Sequence, residues 1–213
     1  MPSYILRYFP IIARAEPAKA LLTLAGVKWE FESPSWPSAK SEQPVGKLPV
    51  LIEISDNGSK LFVLSESLAI EEYLATKYGL YYKSQNPRLV AQQHELRSQM
   101  NELIEIVALV KYGCPDTGAL LLPEFREHGQ VVIKFHERAL KKNGSNGHYF
   151  GNKTTYVDVA VFAVVHSLRN CFAKILDSDI DIFSTESAPE INRLMRTVAE
   201  DPALATYIYS LEH

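Results

Sequence analysis

Cysteine is scarce in this chain: Cys114 and Cys171 are the only two in 213 residues, and they form no C-x-x-C pair. No disulfide framework or zinc-ribbon spacing follows from them, and free buried thiols are the expected state of both. No run of about 18 apolar residues exists, so no membrane-spanning helix is expected. Neither sign of charge dominates. Twenty-two Lys and Arg stand against 25 Asp and Glu, a net charge of −3, which offers no basic surface to nucleic acid or anionic lipid. No Gly-rich phosphate loop is present. The six histidines are scattered, and His94-Glu95-Leu96-Arg97-Ser98 lacks the second His of a zinc helix, so no metal requirement is expected. Met1-Pro2-Ser3-Tyr4 is not a basic region followed by an apolar one, which points to a cytoplasmic protein. The glycosylation-type triplets at Asn57, Asn143 and Asn152 are therefore expected to be idle. Leu211-Glu212-His213 looks like the remnant of an expression tag.

What is there is ordinary soluble protein, 46% hydrophobic and 22% charged. Its length suits one large domain or two small ones. Residues 3 to 9 are rich in strand formers. Residues 14 to 25 carry a helical stripe of Ala18, Leu21, Leu22 and Ala25, with Pro17 in the first turn and Gly26 as the stop. Residues 27 to 32 form a second short strand, and residues 33 to 47 a polar loop. Two strands, 49 to 54 and 60 to 64, flank the hairpin signal Asp56-Asn57-Gly58-Ser59. A helix over 67 to 78 then ends at Gly79. Beyond it only helices are expected, over 87 to 111, 124 to 142, 155 to 174 and 188 to 199. Thr155 and Asp158, three apart before an apolar run, form a capping box worth on the order of 1 kcal/mol. The expected domains are 1–79, a linker 80–86, and 87–213.

Two local features point to a ligand. In Gly46-Lys47-Leu48-Pro49-Val50-Leu51 a proline stands at the start of an apolar strand. A cis Leu48-Pro49 bond there would turn the main chain of Leu48 toward an extended peptide. Downstream, Ser65-Glu66-Ser67 opens an amphipathic helix, and a hydroxyl beside bare N–H groups is a seat for a carboxylate. Together they suggest a seat for a small charged peptide.

Over essentially its whole length the chain resembles the cytosolic glutathione transferases. It looks most like their sigma class, which includes haematopoietic prostaglandin D synthases. The resemblance rests on Tyr8-Phe9, Arg14-Ala15-Glu16, Trp36-Pro37, Lys40, Pro44 to Leu51, Ser67-Leu68-Ala69-Ile70 with Tyr73-Leu74, and Gly151…Thr155…Asp158. It implies a thioredoxin-like α/β domain followed by an all-α helical domain. It also implies glutathione as co-substrate, a hydrophobic electrophile as second substrate, and a homodimer.

The resemblance further assigns roles. Tyr8 would donate a hydrogen bond to the glutathione sulfur, and Arg14 would support the thiolate. Ser67 would take the γ-glutamyl carboxylate and Glu66 the ammonium. The backbone of Leu48, presented by cis-Pro49, would pair with the cysteine. Trp36, Lys40 and Lys47 would meet the glycine carboxylate. Glu105 aligns with an acidic residue that reaches the neighbouring subunit's glutathione. Ile11, Val107, Tyr112 and Tyr207 are placed at the electrophile's pocket. Two positions depart from the family's pattern. Ala13 stands where Gly is frequent, and Val45 stands where some classes carry an aromatic key to the partner subunit. The leading expectation is an enzyme that activates the glutathione thiol as thiolate for attack on electrophilic small molecules. Glutathione-dependent isomerisation is the alternative on the same residues, and the presence of Tyr8, Arg14, Lys47 and Ser67 argues against non-catalytic binding.

Overall fold

The computed structural model describes residues 3–113, 115–172 and 182–212. Cys114 and the side chain of Cys171 lie outside the described residues.

Strand β1 (Ser3–Arg7) alternates, with Tyr4 and Leu6 buried. That is the period-2 pattern of a sheet with one face packed. Helix α1 (Glu16–Leu24) crosses over to β2 (Trp29–Glu32), which lies parallel to β1. Pro17 sits in the first turn of α1, where its missing N–H costs nothing, and Gly26 at φ 64° turns the chain away. Strands β3 (Val50–Ile54) and β4 (Lys60–Ser65) add on antiparallel, giving the order β2-β1-β3-β4. Helix α2 (Ser67–Lys77) follows and stops at Gly79, φ 64°. The polar loop after β2 holds a 3-10 turn over Ser38–Glu42 that its sequence does not announce.

A network on β3 and α2 ties this helix to the sheet. Lys77 Nζ donates to Glu53 Oε1 at 2.7 Å and to the Tyr73 hydroxyl at 2.9 Å, and that hydroxyl also bonds Glu53. Burial pushes the Glu53 carboxyl up, but the bonds from Lys77 and Tyr73 and the Lys77 charge outweigh it and hold it below the ordinary range. A carboxyl lowered on folding stabilises the fold above its unfolded value and loses that contribution as pH falls through the folded one. The stability gap between the chain and Glu53→Gln is therefore expected to narrow as pH drops from about 5 toward 3. Urea titrations at several pH values will measure it.

Helix α3 (Pro87–Tyr112) starts at Asn86, whose Oδ1 accepts from Arg88 N at 3.1 Å and Leu89 N at 3.4 Å. Helix α4 (Pro115–Lys142) begins nine residues before the sequence suggests. Pro123 resembles a start, but it stands on the exposed side of the helix. It forfeits a backbone bond there without disturbing the face packed on α3, so the helix runs through it. Helix α5 (Tyr156–Phe172) is apolar nearly all round, and Val157 through Val165 are buried. It is the central post of the core, packed against α1 and α3. Asp158 makes the reach-back bond of the expected capping box, Thr155 N–H donating to its Oδ2 at 2.9 Å, and the Thr155 hydroxyl donates to the same oxygen at 2.7 Å.

Helix α6 (Pro189–Ala199) has its N-terminus capped by Glu137 of α4, whose carboxylate accepts from the N–H groups of Glu190 and Ile191 at 2.8 to 3.1 Å. A 3-10 turn over Pro202–Leu204 leads into α7 (Ala205–Glu212), a helix not anticipated from the sequence. Leu211, which resembles part of a tag, packs against the core as part of α7. The whole is a thioredoxin-like domain with a mixed four-stranded sheet, followed by a helical domain.

Candidate functional site

The expected cis bond is present between Leu48 and Pro49, and a second stands at Trp36-Pro37. Pairing of β3 with its neighbours begins at Val50, so Leu48 lies just beyond the ladder. Gly46, at φ 62°, closes the turn before it, with its N–H on the Gln43 carbonyl at 3.1 Å. Where β4 passes into α2, Glu66 adopts φ 73°. A non-glycine residue in the left-handed region costs on the order of 1–3 kcal/mol and persists where function or surroundings demand it. The consequence is local. Ser67 becomes the first residue of α2, and the N-terminal end of the helix, with its free N–H groups, lines the same cavity as Leu48.

A cavity of about 400 Å³ lies between these segments. Lys47, Leu48 and Pro49 form one side, Ser65, Glu66 and Ser67 the second, and Arg14 and Glu105 the third, with Val45 at the rim. Its size falls within the range of small-molecule sites. Its walls carry two cations, two carboxylates, two hydroxyls and a helix N-terminus, which suits a zwitterionic peptide.

Tyr8 does not line this cavity but is joined to it. Its ring is 4% exposed, and its hydroxyl oxygen accepts from the Arg14 N–H at 3.3 Å. An N–H donor on a phenol oxygen polarises the O–H and strengthens it as a donor in turn. Trp36 and Lys40 also stand outside the lining. Trp36 meets the Phe9 ring edge-on at 5.3 Å, and Phe9 meets Tyr8 at 5.4 Å. Lys40 runs beside Gly46, where a Cβ would touch its Cε at 3.5 Å.

Two family models match the chain, "Glutathione S-transferase, N-terminal domain" over residues 15–87 and "Glutathione S-transferase, C-terminal domain" over residues 120–210. "Probable glutathione S-transferase 7" of Caenorhabditis elegans is 31% identical over 188 residues, covering 83% of this chain and 85% of the relative. The chain belongs to the glutathione S-transferase family. The sigma-class glutathione transferase of Fasciola hepatica shares its fold at a TM-score of 0.77 over 98% of this chain and 96% of that one, at 22% identity. "Hematopoietic prostaglandin D synthase" of Gallus gallus is 40% identical over 83 residues, 38% of this chain and 39% of the relative. Tyr8 and Arg14 precede the matched segment 15–87, so the placement of both rests on geometry.

For a glutathione transferase, Glu105 takes an informative position. Within this one chain its Oε1 lies 3.9 Å from Arg14 Nη1 and accepts from Asn101 Nδ2 at 2.9 Å. Asn101 orients Glu105 and was not singled out from the sequence, although i, i+4 spacing on α3 brings them together. Ser65, part of the Ser65-Glu66-Ser67 seat, lines the cavity, although the resemblance assigns it no role of its own. The four residues placed at the electrophile's pocket separate. Ile11 is 37% and Tyr112 is 68% exposed, and both are available to a ligand. Val107 is fully buried, and Tyr207 is 2% exposed with its hydroxyl on Glu16 Oε2 at 3.2 Å, so both are core rather than wall. Among the described residues no group of His, Cys, Asp or Glu is arranged to hold a metal, and no helix is long and apolar enough to cross a membrane.

Proposed function

We propose that this chain binds glutathione in the 400 Å³ cavity and presents its thiolate to electrophilic small molecules. The observation that carries the reading is the cavity itself, which brings Lys47, Leu48 and Ser67 within one wall system and links it through Arg14 to Tyr8. In this reading Ser67 and the first turn of α2 hold the γ-glutamyl carboxylate, and Glu66 meets the ammonium. The Leu48 backbone holds the cysteine. Lys47, with Lys40 and Trp36 reaching in from outside the lining, meets the glycine carboxylate. Tyr8 and Arg14 act on the sulfur, and the electrophile enters past Ile11 and Tyr112.

Retention on immobilised glutathione with elution by free glutathione tests the binding half of this reading. Turnover of a chromogenic electrophile tests the chemistry. A chain that passes unretained overturns the proposal. Ser67→Ala is expected to raise KM for glutathione about tenfold with little change in kcat, because a hydrogen bond to a carboxylate far from the sulfur is uniform binding. Steady-state kinetics with glutathione varied will measure it.

The homodimer belongs to the same proposal. Leu61, Phe62 and Val63 on β4 are 41–60% exposed, an apolar edge that a second copy would cover. The likeness to the Gallus gallus prostaglandin D synthase supports a second reading, isomerisation with glutathione regenerated. Product analysis with an endoperoxide decides between them: an isomer carrying no glutathione favours the second.

A further inference from the structure

Arg97 on α3 is 1% exposed, and Glu71 on α2 is fully buried. Arg97 Nε donates to Glu71 Oε2 at 2.6 Å, and Nη2 donates to Oε1 at 2.7 Å. This is the two-pronged fit of a guanidinium on a carboxylate. Among the described residues Nη1 has no hydrogen-bond partner, so the hold on Arg97 rests on Glu71. None of the chemistry proposed above uses either group. Nor is stability a sufficient account, because the desolvation of two buried charges offsets much of their attraction. What such a pair does well is hold a register between elements.

The register here concerns the cavity. Glu71 stands four residues, one helical turn, beyond Ser67 at the head of α2. Arg97 stands eight residues before Glu105 on α3, about 12 Å along the axis. The pair therefore ties the helix whose first turn forms one wall to the helix whose carboxylate forms another. Sliding or rotating α2 against α3 breaks a bidentate bond whose partners have no solvent to turn to.

We propose that the Arg97–Glu71 pair is a positioning device for the glutathione seat. It sets the separation and rotation of the α2 N-terminus relative to α3, and so the fit of Ser67 and Glu66 to the γ-glutamyl head. The inference rests on the reading of Ser67 as part of that seat.

The test must separate positioning from folding. Arg97→Met alone leaves a carboxylate buried and unpaired, and is expected to unfold at much lower temperature. The double variant Glu71→Leu with Arg97→Met removes both charges and keeps the volume. Arg97→Lys keeps the charge and loses the fork. The double variant is expected to melt cooperatively near the unaltered chain, with KM for glutathione raised about tenfold. KM for the electrophile and the pH midpoint of the rate are expected to stay in place. Arg97→Lys is expected to fall between the two. A folded double variant with unchanged KM for glutathione overturns the proposal. If the double variant does not fold, unchanged KM in Arg97→Lys overturns it equally. Failure of the unaltered chain to bind immobilised glutathione sinks the functional reading instead. A chain that binds and turns over, but whose pair variants match it, loses only this inference.

Discussion

Tyr8→Phe is expected to lower kcat/KM for glutathione roughly thirtyfold at pH 7 and to move the midpoint of its pH profile upward by one to two units. A free thiol has a pKa of about 8.5, so only about 3% is thiolate at pH 7. A charge-assisted hydrogen bond from Tyr8, with the Arg14 guanidinium beside it, can supply the roughly 2.7 kcal/mol that lowers this by two units. The thiolate population then rises about 25-fold, while intrinsic nucleophilicity falls about eightfold for a slope near 0.45. Ionisation alone is thus worth only about threefold at pH 7. The remaining tenfold is assigned to a sulfur no longer held at one place beside the electrophile. The two parts separate in a pH–rate profile. The population advantage vanishes as pH rises toward 9 while the roughly eightfold greater nucleophilicity of the less acidic thiol remains, so the deficit of Tyr8→Phe is expected to shrink from about thirtyfold to about twofold. The fold is expected to hold, because phenylalanine keeps the ring against Phe9, and the hydrogen bond from Arg14 N–H to the Tyr8 hydroxyl is given up. A deficit that is the same at every pH refutes Tyr8 as the donor to the thiolate.

The site was legible in the sequence where its residues are close in the chain. Gly46 to Pro49 and Ser65 to Ser67 are each a few consecutive residues, and their turn chemistry specifies them locally. The meeting of Arg14 with Glu105 joins residues of different domains, far apart in the chain, which no local pattern states. Arg97 and Glu71 were hidden for the same reason, each resembling a solvated helix charge. Val107 is a different case. Met100, Leu103, Ile104 and Val107 are all buried at i, i+3, i+4, i+7, so the stripe that makes Val107 core was visible in the spacing. Tyr207 was not so visible. Ala-Thr-Tyr-Ile-Tyr-Ser is poor in strong helix formers, and α7 exists through packing, including the hydroxyl of Tyr207 on buried Glu16. The true start of α4 is not legible because the local preference of Pro123 is overruled by the packing of that helix on α3.

Packing and site are therefore continuous in this molecule. The helix that bears Ser67 is fastened at its far end to the sheet by Lys77 and Glu53, and at its middle to α3 by Glu71 and Arg97. Among the described residues its N-terminal turn has no side-chain cap. A ligand's carboxylate supplies one. Glutathione binding is accordingly expected to stabilise the chain by mass action, and the head of α2 is where that stabilisation is felt first.

Asp158→Ala is expected to cost about 3 kcal/mol of stability, well beyond the single unit that a capping box contributes. The difference lies in what the carboxylate holds. Oδ2 accepts from Thr155 N–H at 2.9 Å and from Thr155 Oγ1 at 2.7 Å, and Oδ1 accepts from the N–H of Tyr149 at 2.8 Å. Asp158 is fully buried, so alanine leaves three donors without an acceptor and without water. The helix that loses its start is α5, the post against which α1 and α3 pack, so the loss reaches both domains at once. For a chain of this length 3 kcal/mol lowers Tm by about 6–12 °C. Asp158→Asn keeps one oxygen but turns an N–H toward the remaining donors, and is expected to recover about half of the loss. Calorimetry on the three proteins distinguishes the outcomes. A loss near 1 kcal/mol in Asp158→Ala would reduce the residue to an ordinary cap, and the Tyr149 bond to a bystander.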